Sequence, residues 1–519
     1  MRGARRSLLL CAAGLASAAG CTLDTPSLAA PPLARTAAAP HVPAGPSITP
    51  PPASLQAGRG PLPAGPPPVA ADETPLPINL ATALRLSNAR PLDVQIAARQ
   101  VAVAAAVLDR ARLLWVPNLV LGTDSFAHAG NQQNFAGDVV KSTRSAFMAG
   151  LGPNVVFSFS DAVYAPLAAR QDLRAREAVR QAVVNDASLQ VAEAYFTVQQ
   201  ARGELAGALL AAAKAEDLVR RASALAQGLA PPTEATRARV ELARRRQAVT
   251  AARERWRTAG AELARLLRLD PAAVVEPLEP PFLPVTVIDP AATVDALIPI
   301  ALTGRPELAG QQAVVQATLA RLRQEKIRPL VPSLALRSAS TNPSSSLGFG
   351  VFGGGPNDTL RNFDTRFDID MQLLWEFQAL GLANRARVNE RSAEHEVAIL
   401  ELFRTQDRIA AEVVRAFAEV RSAAERLAEA EPALREAVEL VNRNLDGLGQ
   451  TRRVGEVLVL VIRPQEAVAA VQALAQANAD YFATVADYNR AQFRLYRALG
   501  QPAQCLMALL PPTDAPAGK

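Results

Sequence analysis

Arg90 to Leu121, RPLDVQIAARQVAVAAAVLDRARLLWVPNLVL, returns without a gap as Arg305 to Leu336, RPELAGQQAVVQATLARLRQEKIRPLVPSLAL. Arg90-Pro91 answers to Arg305-Pro306, Ala98, Ala102 and Ala105 answer to Ala313, Ala317 and Ala320, and Val116-Pro117-x-Leu119-x-Leu121 answers to Val331-Pro332-x-Leu334-x-Leu336. Each copy is an alanine-rich helical run that meets a proline, which cannot donate to a helix, and then alternates like a strand. Pro117 and Pro332 therefore mark helix-to-strand junctions. The duplication continues downstream at a different offset, with Val191, Val198, Leu205, Ala212 and Val219 answering to Val413, Val420, Leu427, Leu434 and Val441. The chain thus reads as two repeats, each helix-strand-strand-helix.

Working outward, the 519 residues divide into a leader (1–20), a Pro/Ala-rich tether (21–77), a first repeat (78–290), a second repeat (291–503) and a short tail (504–519). The apolar share is 49% but only 5% of residues are aromatic. Ala, Leu and Val in that proportion suit long, closely packed helices. The net charge of +6 is carried almost wholly by dispersed arginines, with Lys only at Lys141, Lys214, Lys326 and Lys519. No basic stripe with interleaved aromatics appears, which argues against a nucleic-acid partner.

In the first repeat the pattern predicts strands over Asn118–Phe126 and ending near Phe159, separated by a polar loop from Gly130 to Arg144. A helix of about 90 Å from Leu167 to Gln227 follows. Its valines and alanines fall in an a/d seam, and a returning helix from Thr233 to Leu269 makes a long antiparallel hairpin. The second repeat is expected to start near Thr293, with a Ser/Gly/Asn-rich loop from Ser338 to Asn362. Beyond it Phe367, Ile369, Met371, Leu373 and Trp375 alternate with Arg366, Asp368, Asp370 and Gln372. Such alternation fits a half-buried soluble strand or a lipid-facing barrel strand equally. A second hairpin spans Ala383 to Gly500, in which Pro432 and Pro464 should kink or interrupt the helices. No internal run of eighteen apolar residues exists, so entry into a membrane would be through strands.

Met1 to Gly20 has the basic start, apolar stretch and small terminal residues of a secretory signal peptide. Ala18-Ala19-Gly20-Cys21 is similar to the bacterial lipobox, which implies lipidation of Cys21; Thr22 after it implies delivery to the outer membrane. Cys11 falls in the leader, and Cys505 reads as a small apolar residue.

The order of these parts resembles the TolC family of outer-membrane efflux channels over Ile78 to Pro502. The most specific piece is Asp487-Tyr-Asn-Arg-Ala-Gln-Phe-Arg-Leu-Tyr-Arg-Ala-Leu-Gly500, and the junctions at Pro117 and Pro332 and the turns Gly228 to Glu234 and Gly449 to Glu456 are also similar. The resemblance implies a mostly α, α+β fold whose duplicated repeats give long antiparallel α-hairpins plus four strands of a trimeric transmembrane β-barrel. It also implies a periplasmic adaptor protein and an inner-membrane transporter as partners at the turns marked by Gly228, Glu234, Gly449 and Glu456, with outer-membrane lipid around Phe367, Ile369, Met371, Leu373 and Trp375. Physics supplies half of the oligomer. A four-stranded sheet in lipid leaves its edge N–H and C=O groups unpaired at several kcal/mol each. Single-chain barrels close with at least about eight strands, so at least two copies are needed. The resemblance sets the number at three.

No catalytic, cofactor or metal constellation is present in the sequence. His41, His128 and His395 have no ligand partners at useful spacing; His395-Glu396 is followed by Ile399 where a zinc-protease motif needs His. Gly353-Gly354-Gly355 lacks the Lys and helix of a phosphate loop. The readings left are a passive conduit for efflux or type I secretion and a lipid-anchored structural coiled coil of the periplasm. They part at the strand Arg366 to Trp375, which only the conduit needs.

Overall fold

Two helices, a pair of strand paths, a long helix and a returning helix are laid down twice, with short extra strands in each copy. In the computed structural model, which describes residues 75–116, 118–227, 229–270, 272–337, 347, 349–356, 360–454 and 457–500, the first series is β1 (Pro75–Ile78), α1 (Leu80–Ser87), α2 (Leu92–Arg112), β2 (Leu119–Gln133), β3 (Val139–Ser158), α3 (Phe159–Leu225), α4 (Pro232–Leu267) and β4 (Val274–Pro277). The second is α5 (Val294–Gly304), α6 (Pro306–Ile327), β5 (Ser333–Arg337), β6 (Phe349–Pro356), β7 (Arg361–Phe367), β8 (Asp370–Leu374), α7 (Leu382–Gly447), β9 (Thr451–Val454), β10 (Val457–Leu460) and α8 (Pro464–Ala498). The fold is mostly helical with a few antiparallel strands, as the duplicated pattern predicts.

Two helices set the dimensions. α3 has 67 residues and α7 has 66, each about 100 Å at 1.5 Å per residue. Neither can bury its apolar seam alone, so shorter helices flank them end to end. At the strand end α2 and α6 pack on α3 and α6 packs on α7; at the opposite end, the tip, α4 and α8 pack on α3 and α8 packs on α7. The heptad residues Val191, Val198, Leu205, Val413, Val420, Leu434 and Val441 are all buried, and so are Leu474, Tyr481, Tyr488 and Leu495 of α8. Glycine permits the closest approach. A Cβ on Gly203 would overlap the Phe482 ring, and one on Gly207 would meet Asn478 Cβ at 2.7 Å.

The four expected strands exist, as four antiparallel paths whose third and fourth are interrupted. β3 pairs along its length with β2, from Leu119↔Pro153 to Gln133↔Val139. Its other edge takes β6 over Arg144–Leu151 and β5 over Asn154–Ser158. β7 then pairs with β6, and β8 with β5. Several boundaries differ from the sequence reading. The polar stretch after Gly130 stays in the ladder and the turn is confined to Asn134–Asp138. The Ser/Gly/Asn-rich stretch contains β6, whose ladder to β3 supplies what its glycines lack in propensity. The alternating strand is split at Asp368–Ile369.

The tips differ from each other. α3 and α4 are joined by a tight turn with Pro231 as N-cap and Pro232 at the first helical position. Between α7 and α8 the chain turns at Gly449 (φ 97°) and forms the β9–β10 hairpin, where the sequence suggested only a turn. Pro464, expected to kink or interrupt a helix, instead opens α8, where its missing N–H costs nothing. Pro432 lies inside α7, which runs through it.

Among the described residues one stretch, Leu80–Trp115, is long and apolar enough by composition to cross a membrane as a helix, at mean hydropathy 1.3. It is broken between Ser87 and Leu92, and α2 packs along α3. Its apolar surplus lies on the open side, at Leu92, Ile96, Val103 and Val107, all exposed.

Candidate functional site: a two-faced sheet with open edges

Strand alternation places successive side chains on opposite faces, and the register fixes which residues share a face. On one face Met371 and Leu373 sit opposite Leu336 and Leu334, Phe367 opposite Phe349, Phe349 opposite Leu151, and Leu151 opposite Leu121. This face is apolar and open: Leu121 is 79% exposed, Phe367 69% and Met371 68%, and Ile369, Leu373 and Trp375 are exposed too. Where strands meet helices, aromatic rings gather. Trp115 lies 4.8 Å from Phe157 and Phe157 4.7 Å from Phe159 between ring centroids, and Trp375 and Phe377 are exposed just after the end of β8. An exposed apolar band ending in aromatic rings is the surface a lipid interface requires.

The opposite face is polar. It carries Asp124, Arg144, Asp364, Arg366, Asp368, Asp370 and Gln372, with Arg366 paired to Asp368. The guanidinium of Arg366 stands 5.0 Å from the Phe352 ring centroid, and that of Arg144 stands 5.6 Å from Phe126. Met148, opposite Asp124 and Phe352, is 1% exposed beneath this layer. Gly122, Gly150 and Gly350 lie in one cross-strand row that ends at Arg366. A Cβ on Gly150 would strike the Phe349 carbonyl oxygen, and one on Gly350 (φ +153°) would strike that of Ala149. Such a row lets the sheet bend toward its polar side.

Both edges of this sheet are open among the described residues: β2 pairs only with β3, and β7 and β8 pair only inward. The helices repeat the arrangement. α2, which precedes β2, exposes Leu92, Ile96 and Val103, and α7, which follows β8, exposes Val397, Leu400 and Phe403. One chain therefore ends in two unlike, unsatisfied margins.

Midway along the helices a polar belt fastens the layers, and it explains the Asp487–Gly500 motif. Asn489 and Gln492, 1% and 0% exposed, clamp the segment between the repeats. Asn489 Oδ1 accepts from Val285 N at 2.7 Å and its Nδ2 donates to Leu283 O; Gln492 Oε1 accepts from Val287 N and Ile288 N. Tyr488 shares a hydrogen bond with Thr286. Arg305, 3% exposed, donates to Glu307 at 2.6 Å and to Glu412 at 2.5 Å, and Arg497 reaches Asp186, Glu307 and Glu412. Burial alone would raise the Glu307 carboxyl, but hydrogen bonds from Arg305 and the charges of Arg305 and Arg497 outweigh it and hold it below the ordinary range. In the first repeat, burial and then the Glu279 carboxylate push the Tyr195 hydroxyl far above its usual value. Only long-range pairing reveals these roles; the sequence signal was the density of Tyr, Asn, Gln and Arg in one short helix segment.

Of the residues singled out from sequence, Phe367, Ile369, Met371, Leu373 and Trp375 are exposed together, and Pro332 lies immediately before β5. Glu234 and Gly449 lie at the tip, where Glu234 Oε1 accepts from Arg237 at 2.8 Å and Oε2 is buried without a partner. Cys21, Pro117, Gly228 and Glu456 lie outside the described residues. His395, expected on a solvated helix face, is half-buried, with Nδ1 3.0 Å from the Thr318 hydroxyl in the α6–α7 packing. Among the described residues no cluster of His, Cys, Asp and Glu could hold a metal.

A duplicated α+β subunit with paired long hairpins and a two-faced sheet is the fold of outer-membrane channels. The chain superposes on the outer-membrane channel OprN with a TM-score of 0.65 at 17% identity, over 82% of this chain and 90% of that one. It superposes on the outer membrane protein VceC from Vibrio cholerae with 0.63 at 15% identity, over 81% and 96%. It superposes on the open state of the MtrE outer membrane channel of Neisseria gonorrhoeae with 0.62 at 15% identity, over 82% and 89%. No family profile matches the sequence, and no curated protein matches it. At these identities the likeness is one of fold, and it agrees with the resemblance to the TolC family.

Proposed function

We propose that this protein is the outer-membrane channel of a tripartite efflux or type I secretion system: a passive conduit, not an enzyme. One observation carries the reading, the sheet with an exposed apolar face, a charged face and two open edges. In water that apolar face would be an aggregation surface; in lipid it is satisfied, provided the edges pair. The margins are unlike, so copies join head to tail and close by rotation. Three copies, the number the TolC resemblance implies, give twelve strand paths and a water-filled lumen. β2, at 15 residues, exceeds the 9–11 a spanning strand needs, which leaves its polar end and the Asn134–Asp138 turn beyond the membrane. The helices then cross the periplasm, and the tips bearing Glu234 and Gly449 meet a periplasmic adaptor bound to an inner-membrane transporter. The coiled-coil alternative leaves the two-faced sheet without a purpose.

The same reading places a lipid on Cys21, anchoring the chain in the outer membrane. Mass spectrometry of the mature N-terminus should find the acylated cysteine; an unmodified chain cleaved elsewhere contradicts the anchor. For the channel itself, Ile369→Arg should abolish outer-membrane assembly, at about 2 to 4 kcal/mol per chain near the midplane. Asp368→Arg should assemble and change ion selectivity. Assembly that is indifferent to Ile369→Arg, or a wild-type protein whose native mass in detergent is that of one chain, ends the barrel reading.

A further inference from the structure

The duplication indicates what belongs beside the two open helices of the tip half, α4 and α7. α3 is equivalent to α7, with Val191, Val198 and Leu205 answering to Val413, Val420 and Leu427. α4 is equivalent to α8: Pro232 and Pro464 open them, Trp256 answers to Tyr488 and Leu263 to Leu495, and the left-handed residue Arg268 (φ 50°) answers to Gly500 (φ 82°). Within the chain α3 packs against α8. The equivalent contact would be α7 against α4, and within one chain those two helices make no comparable packing. A second copy can supply it.

Side chains at the equivalent positions are complementary in charge. Gly207 lies against Asn478, and their equivalents are Glu429 and Arg246. One heptad nearer the tip come Glu436 and Arg239. The ion pair of Glu193 with Arg494, at 2.6 Å, has Arg415 and Glu262 as its equivalents, the same pair with its charges exchanged. Arg239, Arg415, Glu429 and Glu436 are all exposed and have no ion-pair partner among the described residues. Arg246 reaches only Glu216, itself about half exposed, and Glu262 pairs with Arg265 one turn away.

We propose that α4 of one copy and the tip half of α7 of the next form an ionic seam, Arg239 with Glu436, Arg246 with Glu429, and Glu262 with Arg415. The seam rests on the head-to-tail assembly proposed above and adds to it the residues that choose the partner helix and its register. Where the interior contact is closed by glycine and packed rings, the contact between copies is closed by charge, which excludes a wrong register through like-charge opposition. The occupant of each margin is thus a second copy of this chain.

The test uses the full-length protein purified from outer membranes in detergent, with Cys505→Ser as background. Arg246→Cys combined with Glu429→Cys should yield covalent oligomers on oxidation, since a disulfide requires Cα atoms within about 7 Å. Each single cysteine should yield none. No crosslink in a protein whose native mass is that of several chains overturns the seam and leaves the assembly standing; a native mass of one chain overturns both. Charge reversal supplies the second arm. Glu429→Arg with Glu436→Arg should lower the temperature at which the oligomer dissociates, and adding Arg239→Glu with Arg246→Glu should restore it. An unchanged dissociation temperature in the first variant, or no recovery in the second, overturns the seam.

Discussion

Arg90 and Arg305 hold the same place in two copies of one motif, and their surroundings are opposite. Arg90 is exposed and reaches only the Arg268 carbonyl, at 3.5 Å. Arg305 is buried and held between Glu307 and Glu412, with Arg497 completing the network. The long helices diverge likewise. Gly203 of α3 faces the Phe482 ring, whereas the equivalent Glu425 of α7 is exposed. The second repeat therefore concentrates its buried charge where α3, α6, α7 and α8 meet, and its long helix keeps a charged, uncovered face. Duplication gave two similar scaffolds; position in the row of helices decided which was sealed and which was left to be covered.

Removing the buried charge should break this contrast most sharply. Arg305→Ala leaves Glu307 and Glu412 without their main partner and should destabilise the protein by about 3 to 5 kcal/mol, whereas Arg90→Ala should change stability by no more than about 0.5 kcal/mol. Urea unfolding of both variants in detergent measures the difference, and equal effects would erase the distinction between the copies. A smaller effect is expected from Gly203→Leu, which overpacks the α3–α8 contact at roughly 1 to 3 kcal/mol, while Glu425→Leu should leave the chain's own packing unchanged. The smallest is a response to acid. Glu307 titrates below its ordinary value of 4.5 in the folded protein. Its stabilisation is then fully present above that value and is lost as pH falls through the lower, folded one. Wild type should lose stability below about pH 4 more steeply than Glu307→Gln; parallel curves would show that Glu307 does not couple to folding.

Much of the fold is legible in the sequence because its signals are local. The Arg-Pro and Val-Pro motifs mark where helices begin and where strands replace them, and the heptad residues are buried as their spacing requires, except Val219 and Leu427, which are partly buried. Phe367 to Leu373 reads as a two-faced strand because apolar and polar residues alternate there, a pattern that Leu374 then breaks. What escapes the sequence depends on distant partners. Gly130 to Gln133 are poor strand formers and stay in β2 only because β3 pairs with them through Lys141 and Val139. β6 hides in a glycine-rich stretch for the same reason. The burial of Arg305 depends on Glu412, more than a hundred positions away, and the Asn489 and Gln492 clamps depend on a segment some two hundred positions earlier. That the sheet has open edges follows from its four strands, but which strands form them is invisible until the strand order is known.

The central claim, that copies of this chain close into a water-filled pore, is tested most directly by single-channel recording of the purified full-length protein in planar lipid bilayers. The account predicts discrete ion-conducting steps whose cation-to-anion selectivity shifts in Asp368→Arg. Bilayers that stay insulating with correctly folded protein inserted, or steps whose selectivity is untouched by that substitution, would contradict it.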